Sequence, residues 1–292
     1  MTASPQTIQI YLPNGSPTGI RIAELTTRIV QVIDVPRKLL PEFLKMPESA
    51  HVGVYYLVAE PEDGGEPRAY VGQSGDLRAR LADHNSKKDF WERALVLITK
   101  THSMTQTHAL FLEWYSLNMV KQAERYESDN GNSGTRPHTP APMEADCHEI
   151  FTTGRTLLAT LGHPLFDSVV QSSATVSKSD EFFCKAGGGE VDARGLYTQE
   201  GFVVREGSIG RKQNVPSIVD TSDASFRDKL IADGVMKVEG DNVVFTKDHL
   251  FRSPSRAAVA VLGRTANGWI EWKDENGNTL HAMKRAPIAG AT

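Results

Sequence analysis

Val52-Gly53-Val54-Tyr55-Tyr56-Leu57-Val58, the turn-rich Pro61-Glu62-Asp63-Gly64-Gly65-Glu66-Pro67 and then Ala69-Tyr70-Val71-Gly72 form the stretch that decides the fold. The first segment is rich in β-branched and aromatic residues, the second holds the residues that reverse a chain, and the third returns as a short strand. The three together read as a hairpin with a long tip. From Ser74 the pattern becomes helical: Ser74 can cap, and Leu77, Leu81 and His84 fall on one stripe at i, i+4 and i+7. Arg93-Ala94-Leu95-Val96-Leu97-Ile98-Thr99 reads as a third strand. A longer helix follows from about Thr105 to Arg125, closed by Ser128-Asp129-Asn130-Gly131-Asn132-Ser133-Gly134. Strand, strand, helix, strand, helix predicts a small three-stranded sheet flanked by helices, an α+β arrangement.

Working outward, Thr7 to Leu12 alternates, Pro13-Asn14-Gly15 turns, and Gly19-Ile20-Arg21-Ile22 returns, which predicts an N-terminal hairpin. Pro36 to Leu44 has apolar residues at helical spacing. On the other side, Thr135 to Ala145 carries three prolines and reads as a connector, and Ile150 to Leu161 reads as a helix closed by Gly162 and Pro164. The polar run Gln171 to Asp180 marks a boundary. Beyond it lie strand signals at Gly201 to Val204 and Val243 to Phe245, and a helix from Ser225 to Gly234. A second helix opens at Ser253-Pro254-Ser255, and a last hairpin, Trp269 to Trp272 with Thr279 to His281, turns at Glu275-Asn276-Gly277. Gly187-Gly188-Gly189 reads as a loop. The organisation expected is an extension over 1–50, the first α+β domain over 51–134, a connector with a helix over 135–180, and a separate C-terminal α+β domain over 181–292.

The bulk numbers exclude several classes. With 292 residues, 39% of them hydrophobic, the chain has room for two domains, and its apolar runs are far shorter than the roughly 20 residues of a membrane helix. Met1 to Gln9 lacks the basic and apolar blocks of a secretory signal. Cys147 and Cys184 stand far apart, without metal-ligand spacing, so a reducing cytoplasm is the expected location. The formal charge of −4 argues against a chain that coats nucleic acid. Between Asp76 and Lys100, however, Arg78, Arg80, Lys87, Lys88, Arg93 and Lys100 face Asp76, Asp83, Asp89 and Glu92, six basic less four acidic, or +2. Contact with a phosphate backbone is therefore expected to be local and its salt dependence modest.

Candidate chemistry gathers in the same region. Glu113 lies between Leu110 and Leu117 on what reads as a core-facing stripe, and no basic residue stands at i±3 or i±4 to pair with it. A buried carboxylate must be paired, protonated or bound to a cation; the alternative is a head group that reaches water at the edge of the stripe. Arg80 and His84 share a helix face, and Tyr55 and Tyr70 stand on the strands just before it. Taken singly, each has an ordinary structural role.

Taken in order, Gly53-Val54-Tyr55, Tyr70-Val71-Gly72, Leu77, Arg80, His84, Glu113 and Asn130 resemble the GIY-YIG nuclease family. The resemblance covers roughly Val52 to Asn132. It implies two tyrosine-bearing strands in a three-stranded sheet, with Tyr55, Tyr70, Arg80, His84, Glu113 and Asn130 as catalytic residues and Glu113 as the metal ligand. The spacing between the tyrosines is longer than usual for the family, through the Pro61 to Pro67 insertion, and Asn132 competes with Asn130 for the last position.

The implied reaction is metal-dependent phosphodiester hydrolysis. It needs an activated water, charge stabilisation on the phosphoryl oxygens and help for the leaving alkoxide. One Mg²⁺ or Mn²⁺ on Glu113 would keep several waters and touch the scissile phosphate, and Arg80 can grip phosphate oxygens with its fork. The resemblance assigns a tyrosine as general base. Tyr55 is the first choice and Tyr70 the alternative, with Arg80, His84 and the metal expected to lower the phenol's proton affinity.

In the C-terminal region, Phe251-Arg252-Ser253-Pro254-Ser255-Arg256-Ala257-Ala258, Gly263, Asn267-Gly268-Trp269 and Trp272 resemble a domain of unknown function that often follows GIY-YIG domains in bacterial proteins, and more loosely the RAMA domain. That resemblance implies a DNA-associated module. Arg252, Ser253, Ser255 and Arg256 at a helix start are candidate nucleic-acid contacts, and the simpler reading of Ser253 is a helix cap. The whole predicts a DNA endonuclease of restriction, phage defence or repair in a bacterial cytoplasm, with no membrane contact and with room for a homo-oligomer. The rival is a non-catalytic nucleic-acid-binding or assembly protein that uses the nuclease fold as a scaffold.

Overall fold

The computed structural model describes residues 5–60, 67–132, 134–169 and 181–286. The Pro61 to Glu66 part of the expected hairpin tip, Ser133 and the expected boundary at Gln171 to Asp180 lie outside these residues. The chain divides into two compact units, the first running to Ser168 and the second from Val169 on. Each is a mixed α+β structure built on an open sheet.

In the first unit the strands are β1 (Ile8–Tyr11), β2 (Arg21–Leu25), β3 (Val30–Pro36), β4 (Gly53–Ala59), β5 (Arg68–Ser74), β6 (Arg93–Thr99) and β7 (Glu127–Ser128). They form one sheet in the order β1-β2-β3-β6-β4-β5-β7. The expected three strands are its β6-β4-β5 part, and the sheet has seven strands because of β3. That segment has no clean alternation, being apolar except for Gln31 and Asp34, which is how a strand covered on both faces reads. β3 pairs with β6 from Val30↔Thr99 to Pro36↔Arg93 and with β2 on its other edge, so it joins the N-terminal hairpin to the sheet. Asp34, wholly buried, fastens the joint: it accepts from Arg93 Nε at 2.7 Å and pairs with Arg21.

Helices cover both faces. Val54, Tyr56 and Val58 of β4 point into a core shared with α3 (Gln106–Ala123) and α4 (Ala141–Thr160), and Tyr55 and Leu57 point into another formed with α1 (Leu40–Phe43), α2 (Leu77–Lys87) and Trp91. Helix α4 begins nine residues before the expected Ile150. Pro140 and Pro142, which suggested a connector, sit at its cap and first turn, where a missing N–H is harmless.

The second unit orders its strands β12-β13-β11-β9-β10-β14, with β8 on β9. These are β8 (Glu181–Ala186), β9 (Val191–Tyr197), β10 (Phe202–Val204), β11 (Ile209–Arg211), β12 (Met236–Glu239), β13 (Asn242–Phe245) and β14 (His249–Phe251). Its helices are α5 (Ser222–Ala232), α6 (Pro254–Leu262), α7 (Gly268–Glu271) and α8 (Leu280–Lys284). The alanine-rich α6 is buried along most of its length and lies close on the sheet, where a Cβ on Gly210 would stand 2.9 Å from the Val261 carbonyl oxygen. The hairpin expected over 269–281 keeps its turn at Glu275-Asn276-Gly277 and a single antiparallel bridge, Lys273↔Thr279, while its two arms are the short helices α7 and α8. Asn267 and Thr279 accept from the backbone N–H groups of Trp269 and Ala282, and these caps turn both segments helical.

Candidate active site

Tyr55 and Tyr70 share one face of the β4–β5 ladder, in which Tyr55 pairs with Gly72 and Tyr70 with Leu57. The glycines of both tripeptides have a steric reason. A Cβ on Gly72 would come within 2.3 Å of Tyr55 Oη, and one on Gly53 within 2.7 Å of the Leu97 carbonyl oxygen. The ring of Tyr55 thus lies across β5 where only glycine leaves room.

Helix α2 brings Arg80 and His84 to these rings. Asp76, and not the expected Ser74, is its cap, accepting from the N–H groups of Arg78 and Ala79. Leu77, Leu81 and His84 are buried on one stripe, as the spacing predicts. His84 Nε2 lies 2.8 Å from Tyr55 Oη, and Arg80 Nε donates to the same oxygen at 3.1 Å. That oxygen accepts from arginine, and its bond to His84 runs in either direction according to the imidazole tautomer. Burial and the nearby Arg80 and Lys88 push the imidazole down to about 4, so it is neutral at physiological pH. Tyr55 above all, and Tyr70 to a smaller degree, help hold the charge of Arg80. Asp83, next to His84 in the chain, turns to Lys87 at 2.7 Å and to Arg80 at 3.9 Å.

The effect on Tyr55 differs from expectation. Burial outweighs the lowering influence of Arg80, and the phenol is pushed well above its ordinary value. Tyr55 is also 0% exposed, with its oxygen engaged by both Arg80 and His84. Tyr70 is half-buried.

Glu113 reaches the site from α3, on the opposite face of the sheet. Leu117 is buried but Leu110 is 40% exposed, so the expected stripe is only half core, and Glu113 stands half-buried at its edge. Burial raises the pKa of its carboxyl, against a hydrogen bond from the Gln73 backbone and attraction to Arg80. Among the described residues no cluster of three or more His, Cys, Asp or Glu is arranged to hold a metal. A lone carboxylate therefore remains, the donor set of a hard cation that keeps its waters. Asn130 does not enter this group. Its amide accepts from the Val71 N–H at 2.9 Å and donates to the Val71 carbonyl at 2.8 Å, clamping β5 next to Tyr70. Asn132 caps the N–H of Gly134.

Two side chains that the motif reading passed over belong to the setting. Gln73 supplies the backbone contact to Glu113, and its side chain meets Gln106 at 2.5 Å. Lys88 lies 4.2 Å from the Tyr70 ring centroid. Its spacing, four residues after His84, was the signal for it.

In the second unit the four candidate contacts are not one open perch. Ser253 accepts from the Arg256 N–H and Ser255 from the Gly268 N–H. Arg256 pairs with Asp223 at 2.7 Å and stacks on Phe226, while Arg252 is exposed.

Residues 182–284, nearly all of the described second unit, match the family described as a domain of unknown function (DUF4357). No curated protein and no solved structure matches the chain. No described helix is long and apolar enough to cross a membrane, and Cys147 and Cys184 are buried free thiols.

Proposed function

We propose that the first unit is a metal-dependent DNA endonuclease of GIY-YIG type and that the second is its accessory domain. On this reading β6-β4-β5 is the family's three-stranded core, β1 to β3 and β7 are extensions, and restriction, phage defence or repair in a bacterial cytoplasm is the setting. One observation carries it: two strands and two helices converge so that Arg80 and His84 meet on the Tyr55 oxygen, the Tyr70 ring lies against Tyr55 and His84, and Glu113 is near enough for its charge to act on Tyr55 and Arg80. A structural role for one such residue is ordinary; a desolvated carboxylate, a guanidinium and two phenols at one place fit phosphoryl chemistry.

Glu113 would hold Mg²⁺ or Mn²⁺, which when bound supplies Lewis acidity to a scissile phosphate oxygen. The raised proton affinity of this carboxyl fits the assignment, since a cation would relieve the burial that raises it. Arg80 binds the phosphoryl oxygens through the guanidinium nitrogens that Tyr55 leaves open. His84 holds the Tyr55 hydroxyl, and Tyr55 in turn holds Arg80 in place. A tyrosine would take the proton of the attacking water after giving up its own, and for Tyr55 the acceptor at hand is His84 Nε2. Asn130, through Val71, keeps the strand of Tyr70 in register.

Digestion of duplex, branched and single-stranded DNA and of RNA with Mg²⁺ or Mn²⁺ tests the proposal, wild type against Glu113→Ala. The expected result is cleavage of DNA by the wild type, and binding without cleavage by the variant. The second reading, a nucleic-acid-binding scaffold, is favoured by one observation: Tyr55 is sealed and held as a neutral phenol. A wild type that binds DNA and cuts nothing with either metal would decide for it.

A further inference from the structure

Strand β5 pairs with β4 along its whole length but with β7 only at Arg68 and Ala69. Alternate residues of a strand turn their N–H and C=O groups to the same edge, so Ala69, Val71 and Gln73 form one outer row. Each is met by a group from elsewhere in the chain. The Ala69 carbonyl accepts from the Asp129 N–H at 2.8 Å, both groups of Val71 are taken by Asn130, and the N–H of Gln73 goes to the Glu113 carboxylate.

The side chain of Gln73 makes a second tie to the same helix. Its Oε1 accepts from Gln106 Nε2 at 2.5 Å. Gln106 is the first residue of α3, where Thr105 and His108 form a capping box, and Glu113 follows it two turns later on the same helix face. The amide of Gln106 also lies against Gly75, where a Cβ would stand 3.0 Å from its Oε1. One residue of β5 thus holds α3 at two points, by its backbone at Glu113 and by its side chain at the start of the helix.

We propose that Gln73 is a positioning residue for Glu113: by holding Gln106, its side chain keeps α3 seated on β5, so that the Glu113 carboxylate stays on the strand edge and presents its remaining lone pairs to a divalent cation. The inference rests on the endonuclease reading, in which Glu113 is the protein ligand of the metal. Hydrogen-bonded partners orient a ligating carboxylate, and their loss weakens the metal site. Where one carboxylate does all the holding, no other protein donor makes up for its displacement. The Gln73–Gln106 bond is itself exposed, so it bears on placement more than on stability.

The test uses the full chain as wild type, Gln73→Ala, Gln106→Ala, Gln73→Ala with Gln106→Ala, and Glu113→Ala. It reads Mn²⁺ binding without DNA by water-proton relaxation, amide hydrogen exchange at Gln73, plasmid cleavage across a range of Mn²⁺ concentrations, and melting temperature. Each single glutamine variant is expected to weaken Mn²⁺ binding on the order of tenfold and to raise the half-saturating Mn²⁺ for cleavage by the same factor. The kcat at saturating Mn²⁺, the KM for DNA and the melting temperature should stay near those of the wild type. Exchange at Gln73 should accelerate in Gln106→Ala, and the double variant should lose no more Mn²⁺ affinity than either single one, since both remove one bond. Wild-type Mn²⁺ affinity in the single variants, or losses that add in the double variant, overturns the proposal. So does a raised KM for DNA with Mn²⁺ affinity unchanged, which would make the pair a DNA contact. Should a variant melt early, Mn²⁺ binding at a temperature where every variant is folded carries the test, and a wild-type value there overturns it. If Glu113→Ala binds Mn²⁺ as the wild type does, Glu113 is not the ligand and the proposal falls. If the wild type cuts nothing, the endonuclease reading has failed, while Mn²⁺ binding and exchange at Gln73 still decide the proposal.

Discussion

Tyr55 and His84, 29 residues apart in the chain, are joined by a buried 2.8 Å hydrogen bond between the phenol oxygen and Nε2. This bond links the centre of a sheet to the helix that covers it. Tyr55→Phe keeps the ring and leaves a buried imidazole nitrogen without its hydrogen-bond partner. The expected loss is about 1–2 kcal/mol of stability, read by denaturant unfolding, together with loss of cleavage as Arg80 is released. An unchanged unfolding midpoint would mean that the bond contributes nothing.

Gly72 is where the Tyr55 ring crosses β5. In Gly72→Ala the new methyl would meet the phenol at 2.3 Å, and a ring that is 0% exposed has no open side to move to. About 1–3 kcal/mol of destabilisation is expected, with cleavage lost beyond what stability explains. A variant that cuts and melts like the wild type would show that the site tolerates a displaced Tyr55.

Much of this was legible in the chain. The stripe of Leu77, Leu81 and His84 and the strand at Arg93 to Thr99 follow from local periodicity, and the structure has them as read. What escaped was decided by partners distant in sequence. β3 is a strand because β2 and β6 flank it, and burial on both faces removes the alternation by which strands are recognised. The wholly buried state of Tyr55 depends on a helix packed over it, which no spacing reports. Lys88 meets Asp129 only because β7 returns alongside β5.

Acid should weaken the first unit in a defined window. Burial, Arg80 and Lys88 hold His84 near 4, below the value of about 6.5 in an unfolded chain. Between these values the unfolded state binds more protons, so the contribution is present in full above about pH 6.5 and is lost as the pH falls toward 4. His51 and His163 are also lowered, and His249 of the second unit is pushed to about 4, so they share the window. The discriminating measurement is the difference between wild type and His84→Gln in denaturant unfolding from pH 7 to pH 4. The variant should lose less stability over that range, by up to about 3 kcal/mol. Parallel curves would count against a neutral, buried His84.

Asn130 stands in for a strand partner by satisfying both backbone groups of Val71. Replacing it with alanine should leave a backbone pair at the sheet edge without its partner, at about 1–3 kcal/mol. Amide hydrogen exchange at Val71 should accelerate, with strands β4 and β6 little affected. A direct role in catalysis predicts the reverse: lost cleavage with exchange at Val71 unchanged.

For the second unit, Ser253 separates two uses of one hydroxyl. It accepts from the Arg256 N–H at 3.2 Å, which is the geometry of a helix cap, and a capping oxygen has its nearest donor already taken. Ser253→Ala should therefore lower stability by about 1 kcal/mol and leave the affinity of the full chain for duplex DNA as it was. Arg256 is similarly committed, to Asp223 and the face of Phe226. Arg252→Ala is the variant with room to weaken binding, because that side chain is exposed. If Ser253→Ala reduces DNA affinity without reducing stability, the hydroxyl faces a phosphate in the complex and the start of α6 is a nucleic-acid contact after all.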